Sequence, residues 1–574
     1  MGSQLTNESF GSDLIVQLLV DAGIEYAAFN PGATFRGIHD SLVYAEGAPK
    51  IVLCMHESVS VAIAQGYAKA AGRPMAVMLH NIVGLQNASM AIYNAWCDRV
   101  PIIMVGGTGP KSTVARRPWV DWIHTASVQG NLVRDFVKWD DEPHDLASVP
   151  ESFARALTTA ISQPPGPVYL CYDVKLQEDA IPVGFSYQGI GQYQVPSAPA
   201  AETESIDRAL DTLRSARHPV ILAGHLGDTR QSMGALAALA EALGAAVIDT
   251  GVRLAFPTDH PLNGTGVNRF LEEADVALAL DANDLQSRLG TRWATGGGSG
   301  DVAVINVTLA NLRVRGWSHD HQALVPSVQH ITSTADSGVE AMLARLRTDP
   351  LDQTDVASRR ARAAEQIAAQ RAAWRVEGET AEVDHAVALP RLIHLVGKAL
   401  TGRKFVLANG TNDRLEHRQW SIREPRQYLG WGAGGGLGYG VGATIGSALA
   451  SPDDVISVDI QADGDLLYLP SALWTAAHLK LRTLFVVNNN RQYGNTAEHA
   501  AKIAMHRHHE TDLSHVGTHL NDPAVDLAAL ARSFGIWAVG PISEPQDLES
   551  RLAEAMTVLD DGRPALLDVV TPGF

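Results

Sequence analysis

Three times along this 574-residue chain, short runs that are apolar throughout alternate with segments of helical spacing. No other feature narrows the fold as much. A strand apolar on both faces is covered on both, and helical crossovers between such strands make the sheet parallel. The first set contains EYAAFN, MAVMLH, VPIIMVGG and GPVYLCYD, with helical patterns at 11–22, in HESVSVAIAQGYAKAAG and in ASMAIYNAWCD. HPVILAGHLG, an Ala/Leu helix at 231–244, AAVIDTG, DVALALDA and DVAVINVT form the second. The third runs through KFVLANG, DVISVDI, LRTLFVVNNN, FGIWAVG and PALLDVV, and its likeness to the first in size and pattern predicts two related sheets. The expected fold is α/β: three doubly wound parallel-sheet domains over 1–180, 200–350 and 385–574. A chain of this length agrees with about three or four domains.

Between the first two sets, 176–204 is rich in Pro, Gly, Gln and Ser and reads as a linker. The stretch SRRARAAEQIAAQRAAWRVEGE within 350–385 reads as an exposed charged helix leading out of the second domain, since Glu and Gln interleave with its Arg residues. The formal charge is −18, which argues against a nucleic-acid partner. It leaves room for a phosphate-bearing cofactor, because a bound metal supplies positive charge locally. Three cysteines in no metal-ligand spacing fit a reducing compartment. MGSQLTNESFGSDL has no basic segment followed by an apolar run, and no stretch is apolar for the roughly 18 residues that a membrane span needs. The expectation is a soluble, cytoplasmic protein without a membrane partner.

The segment 461–495, QADGDLLYLPSALWTAAHLKLRTLFVVNNNRQYGN, carries the chemistry. An apolar strand runs into Asp463-Gly464, a helix follows, and the next strand ends in Asn488-Asn489-Asn490. Successive parallel strands end on one sheet edge, so Asp463 and Asn490, 27 residues apart, both lie there. A carboxylate, an amide oxygen and a nearby carbonyl are the hard donors Mg²⁺ prefers, completed by waters and phosphate oxygens.

This segment resembles the motif of thiamin-diphosphate-dependent enzymes, which opens on Gly-Asp-Gly and closes on Asn-Asn. Ala462 stands where the family has its first Gly. The resemblance implies thiamin diphosphate and Mg²⁺ as cofactors. It places Asp463, Asn490 and the backbone oxygen of Gln492 on the metal, with Gly464, Asp465 and Tyr493 in the same cofactor-binding stretch. Upstream, His56-Glu57 opens a helix as the family's aminopyrimidine-contacting Glu does. A lone Glu there would otherwise be dipole compensation. In WGAGGGLGYGVG, Gly436 and Leu437 match the loop whose large apolar residue props the cofactor. Its glycines are expected to let the backbone approach the diphosphate, with the next helix's N-terminus favouring an anion. The resemblance spans the chain. It implies a pyrimidine-binding domain, a central domain and a diphosphate-binding domain, in a homodimer or homotetramer where Glu57 of one subunit meets Asp463 of another.

Within the family, NPGAT, LHNIVG, SALWTAA and NNNRQYG are similar to stretches of benzoylformate decarboxylase, with Ala33 where that enzyme has a substrate-positioning Ser. His80 and His260, the latter in FPTDHP, become candidate proton carriers. DWIHTASVQGNLVRDFVKW resembles an acetolactate synthase segment and points to His124. TAEHAAKIAMHRHHE resembles a helix that overhangs the cofactor in several relatives, and in 2-hydroxyacyl-CoA lyases a Glu on such a helix shuttles a proton, which points to Glu498 or His499. HRHH within it reads as clustered surface His rather than a metal site. The implied function is C–C bond lysis or ligation on a 2-oxo acid, by decarboxylation, acetolactate synthase-like carboligation or both. The alternative is a 2-hydroxyacyl-CoA lyase. FAD, which some relatives bind in the central domain, would find no GxGxxG there. A non-catalytic regulatory paralogue is the reading from another class, and retention of Glu57, Asp463 and Asn490 argues against it.

Overall fold

The computed structural model describes residues 8–251, 253–289, 302–310 and 325–573. The start of the segment read as lacking a leader, 1–7, lies outside them.

The first sheet comprises β1 (Tyr26–Phe29), β2 (Lys50–Leu53), β3 (Ala76–Leu79), β4 (Ile103–Thr108), β5 (Trp139–Asp141) and β6 (Val168–Asp173), in the order β2-β1-β3-β4-β6-β5. The second has β7 (Pro219–Ala223), β8 (Ala246–Asp249), β9 (Val276–Leu280), β10 (Ala303–Val307) and β11 (Gln329–Ile331), ordered β11-β10-β9-β7-β8. In the third, β12 (Phe405–Asn409), β13 (Ile456–Ala462), β14 (Thr483–Asn489), β15 (Trp537–Ile542) and β16 (Ala565–Val570) run β12-β13-β14-β16-β15. Every named pair is parallel. With the edge strand β2 set aside, the first and third sheets have the same relative order.

The outer domains are not independent. One apolar core runs from Val52, Ile63 and Tyr67 of the first domain into Ile445, Leu473 and Phe485 of the third. At its centre, helix Glu57–Ala71 crosses helix Gly440–Ala450. A Cβ on Gly66 would overlap the Ala443 carbonyl, and one on Gly446 would overlap that of Ile63. Glycine lets the two backbones touch at a distance other residues forbid.

Polar anchors surround this contact. Lys69 Nζ lies 2.5 Å from Asp98 Oδ2, with both side chains fully enclosed. Gln65 also donates to Asp98, while Lys69 reaches the third domain through Trp431 O (3.1 Å) and Tyr439 Oη (3.0 Å). Arg99 pairs with Asp281 of the central domain at 2.5 Å, and Arg414 of the third domain donates to the Asp249 carbonyl at 2.8 Å.

Two connections differ from their sequence reading. Within 176–204, Ile181 and Ile190 are buried and Phe185 and Tyr187 pack on the first domain's core, so part of that stretch is strapped down. The helix expected to be exposed spans Gln353–Thr380 and buries Val356, Ala363, Ile367 and Trp374. That stripe falls on one helical face, which the Ala-rich composition conceals.

Breaking a buried ion pair from one side leaves an uncompensated charge. Lys69→Met should therefore destabilise the protein by about 3–5 kcal/mol, and adding Asp98→Leu should recover most of that loss. Urea unfolding of both variants checks it. Glu416 gives a pH-dependent counterpart. Burial pushes its carboxyl up to about 7, against hydrogen bonds from Thr411 N (2.7 Å) and Thr411 Oγ1 (3.0 Å). A raised folded-state pKa contributes stability below about 4.5, and that contribution is lost as pH rises through about 7. Between these limits the wild type should lose about 3 kcal/mol relative to Glu416→Gln.

Candidate active site

Residues with chemical potential gather at the carboxyl edges of the first and third sheets, where open parallel sheets take ligands. Asn30 follows β1, Glu57 lies just beyond β2, and His80 follows β3; Asp463 follows β13 and Asn490 follows β14.

Glu57 opens its helix because His56 caps it, Nδ1 accepting from Ser58 N at 3.1 Å, and Gly72 closes it in the left-handed region at φ +74°. The Glu57 carboxylate is buried, yet each oxygen has an amide donor: Asn30 Nδ2 to Oε1 at 3.2 Å and Asn87 Nδ2 to Oε2 at 3.1 Å. His80 stands beside it. A Cβ on Gly84 would lie 3.2 Å from Glu57 Oε1 and 3.3 Å from His80 Cβ. Thr34 Oγ1 is 2.9 Å from His80 Nδ1 and accepts from Asn81 N at 3.2 Å. That pattern favours a hydroxyl donating to Nδ1, with the ring's own proton on Nε2. Burial lowers the His80 pKa from the ordinary His value, and the neighbouring His124 adds to the effect, so the ring is neutral at pH 7. The two rings meet edge to face at 5.4 Å, and His124 Nδ1 is buried without a hydrogen-bond partner.

The third-domain half is built from the turn after β13. Asp463 is buried, its Oδ1 has no hydrogen-bond partner, and burial pushes the carboxyl up to about 6 with Asp568 adding to the shift. Asn490 Oδ1 accepts from Gln492 N at 3.2 Å, and Gln492 is itself buried. Gly464 is required here: a Cβ would come within 2.6 Å of the Tyr493 ring. An enclosed carboxylate oxygen without a donor, with an amide oxygen at the end of the neighbouring strand, is a donor set that fits a hard cation such as Mg²⁺. The set holds one carboxylate. Accordingly, among the described residues no group of three His, Cys, Asp or Glu is placed to hold a metal, the HRHH stretch included.

Asp465 ties the glycine run to the segment after β13. Its Oδ1 accepts from Gly438 N at 2.7 Å, at the approach to helix Gly440–Ala450. A carboxylate thus lies at the entry to that helix, where its charge opposes the positive end of the helix dipole. The glycine run is also packed closely within the chain. A Cβ on Gly434 would lie 2.7 Å from Asn94 Oδ1, and one on Gly436 2.6 Å from Met90. Helix Asn81–Cys97 of the same chain presses on this loop. A cleft of about 300 Å³ opens beside this contact, lined by His56, Ser58, Asn87, Met90, Leu437 and Tyr468 among others. Neither Glu57 nor Asp463 lines it.

The remaining candidates lie apart. His260 Nδ1 accepts from Leu262 N at 3.1 Å, its ring packs on Phe256 at 4.7 Å, and Nε2 lies 3.5 Å from Glu241. These contacts commit it to the central domain. Glu498 sits on helix Gly494–His506 and pairs with Lys502 at 2.5 Å. Sequence reading missed Asn30, Asn87 and Thr34. Asn30 was accessible to it, since it follows β1 at the ligand-bearing edge; Asn87 lies mid-helix and carries no local signal.

The comparisons with known proteins agree with this layout. The chain matches the families described as "Thiamine pyrophosphate enzyme, N-terminal TPP binding domain" over 10–131, "central domain" over 206–327 and "C-terminal TPP binding domain" over 408–569. It is 26% identical to benzoylformate decarboxylase of Pseudomonas aeruginosa, covering 91% of this chain and 92% of the relative. It is 24% identical to the large subunit of acetolactate synthase isozyme 3 of Escherichia coli, covering 98% and 95%. Among solved structures, the thiamine diphosphate-dependent 4-hydroxybenzoylformate decarboxylase of Rhodococcus jostii superposes with TM-score 0.77 at 23% identity, covering 99% of this chain and 100% of that one. Benzoylformate decarboxylase of Polynucleobacter necessarius gives 0.75 at 20%, covering 98% and 99%. With three domain matches in chain order and a buried Glu and a buried Asp on corresponding sheet edges, the chain belongs to the thiamine pyrophosphate enzyme family.

Proposed function

We propose that this chain is a Mg²⁺-dependent decarboxylase of a 2-oxo acid, with carboligation of the same acyl fragment as its competing outcome. One observation carries the reading: Glu57 and Asp463 are both buried at ligand-bearing edges of sheets with matching strand order. Relatives named as benzoylformate decarboxylase and acetolactate synthase support it. When bound, thiamin diphosphate supplies a carbon nucleophile and an electron sink. Asp463, Asn490 and the backbone oxygen of Gln492 would hold Mg²⁺, with Gly464, Asp465 and Tyr493 shaping the turn around it. Gly436 and Leu437 would support the cofactor. Glu57, oriented by Asn30 and Asn87, would hold the proton at the aminopyrimidine ring nitrogen. His80, neutral and held by Thr34, is suited to take or deliver a proton at the substrate carbon, with His124 beside it. Glu498 would join them only by leaving Lys502. His260 receives no step. The working unit is a cytoplasmic homodimer or homotetramer, with Glu57 of one subunit facing Asp463 of the next; no described helix is long and apolar enough to cross a membrane.

Glu57→Gln should lose activity by ~10²-fold or more while still binding thiamin diphosphate. Near wild-type turnover in that variant refutes the assignment. Asp463→Asn should bind thiamin diphosphate no better with Mg²⁺ than without, by calorimetry. For substrate, the purified protein is offered pyruvate, benzoylformate and 2-hydroxyacyl-CoA esters and the products are resolved by mass. Aldehyde with carbon dioxide supports decarboxylation, and a hydroxyketone shifts the reading to carboligation. Formyl-CoA overturns both in favour of a lyase.

A further inference from the structure

The loop carrying Leu437 contains glycines 432, 434, 435, 436, 438 and 440, with Gly435 and Gly438 at φ +71° and +84°. Such a loop has no rigidity of its own, since glycine surrenders the most conformational freedom on ordering. What fixes it comes from the first domain. Asn94 is 3% exposed, within the last turn of helix Asn81–Cys97. Its Nδ2 donates to Gly436 O at 3.1 Å, and its Oδ1 accepts from Gly436 N at 3.1 Å. Both backbone groups of one residue are thus satisfied by one side chain, as a neighbouring strand would satisfy them. Lys69 grips the loop's two ends at Trp431 O and Tyr439 Oη. Leu437, the next residue after Gly436, is 42% exposed on the cleft.

We propose that Asn94 is a positioning residue for the cofactor: it holds the Gly436 peptide, and with it Leu437, in the geometry that receives thiamin diphosphate before the cofactor arrives. Lys69 sets the ends and Asn94 the middle. Affinity follows because the loop's ordering is not charged to the binding step. The inference rests on the reading of Leu437 as the cofactor's support.

Two variants of the full chain test it. Asn94→Ala removes both bonds. Asn94→Asp keeps the shape and the acceptor for Gly436 N–H but turns a second acceptor toward Gly436 O. Hydrogen exchange of the cofactor-free protein comes first. Peptides covering 431–440 should exchange about 10-fold faster or more in both variants, with β13 and β14 unchanged. Thiamin diphosphate titrated with Mg²⁺ present should then show Kd raised about 10- to 100-fold, while kcat at saturating cofactor stays within about 3-fold of wild type. Wild-type exchange in the loop overturns the proposal, as does faster exchange with wild-type Kd. Faster exchange throughout the protein would mark Asn94 as a general packing residue and overturn it equally. If Asn94→Ala does not fold, the isosteric Asp variant carries both measurements. A wild-type chain that binds no thiamin diphosphate overturns the cofactor reading instead, and loop exchange still decides whether Asn94 fixes the loop.

Discussion

The close crossing of helix Glu57–Ala71 on helix Gly440–Ala450 is the constraint on which the rest of this structure depends. Gly66, Gly442 and Gly446 allow contact at backbone distance, and no larger residue could stand there without parting the helices. The first helix begins at Glu57, and the second is entered from the loop that carries Leu437. One contact therefore fixes two candidate functional elements from different domains in a common frame. The shared apolar core supplies the cohesion, and Lys69, fully enclosed between Asp98 and the third domain, sets the register. A buried ion pair is weak evidence for stability, but its directional bonds specify one arrangement among the many that an apolar contact tolerates.

The two halves of the candidate site differ in what they ask of a ligand. Glu57 enters the binding step with both oxygens already satisfied by side-chain amides, so its charge is held in place and ready to meet a donor. Asp463 has an oxygen with no hydrogen-bond partner and a carboxyl raised by burial, an environment that a cation would complete. The first is a preformed contact and the second an unfinished one.

Much of this was legible in the sequence, for identifiable reasons. Uniformly apolar strands alternating with helices dictate parallel sheets, and parallel sheets dictate which edge carries ligands; Asp463 and Asn490 could be placed from those two rules. Glu57 needed the family resemblance, because one acidic residue at a helix start is ambiguous. Illegible were contacts between residues far apart in sequence. Asn94 and Gly436 are 342 positions apart, and Lys69 and Tyr439 are 370. No local pattern announces such pairs, so the contact of helix Asn81–Cys97 with the glycine run could not be read from the sequence. FPTDHP, by contrast, is a local motif, and the sequence did not show that its His260 ring contacts Glu241 and the Leu262 amide.

The central domain's attachments bear on how such a molecule can move. Its sheet joins the first domain through Arg99 and Asp281 and the third through Arg414 and Asp249, all largely enclosed. A hinge needs a few residues free to absorb a rotation. Here any swing of one outer domain about the middle one would tear a charge from its partner and drag apart glycines that touch backbone to backbone. These attachments oppose independent rotation of the three domains within a chain.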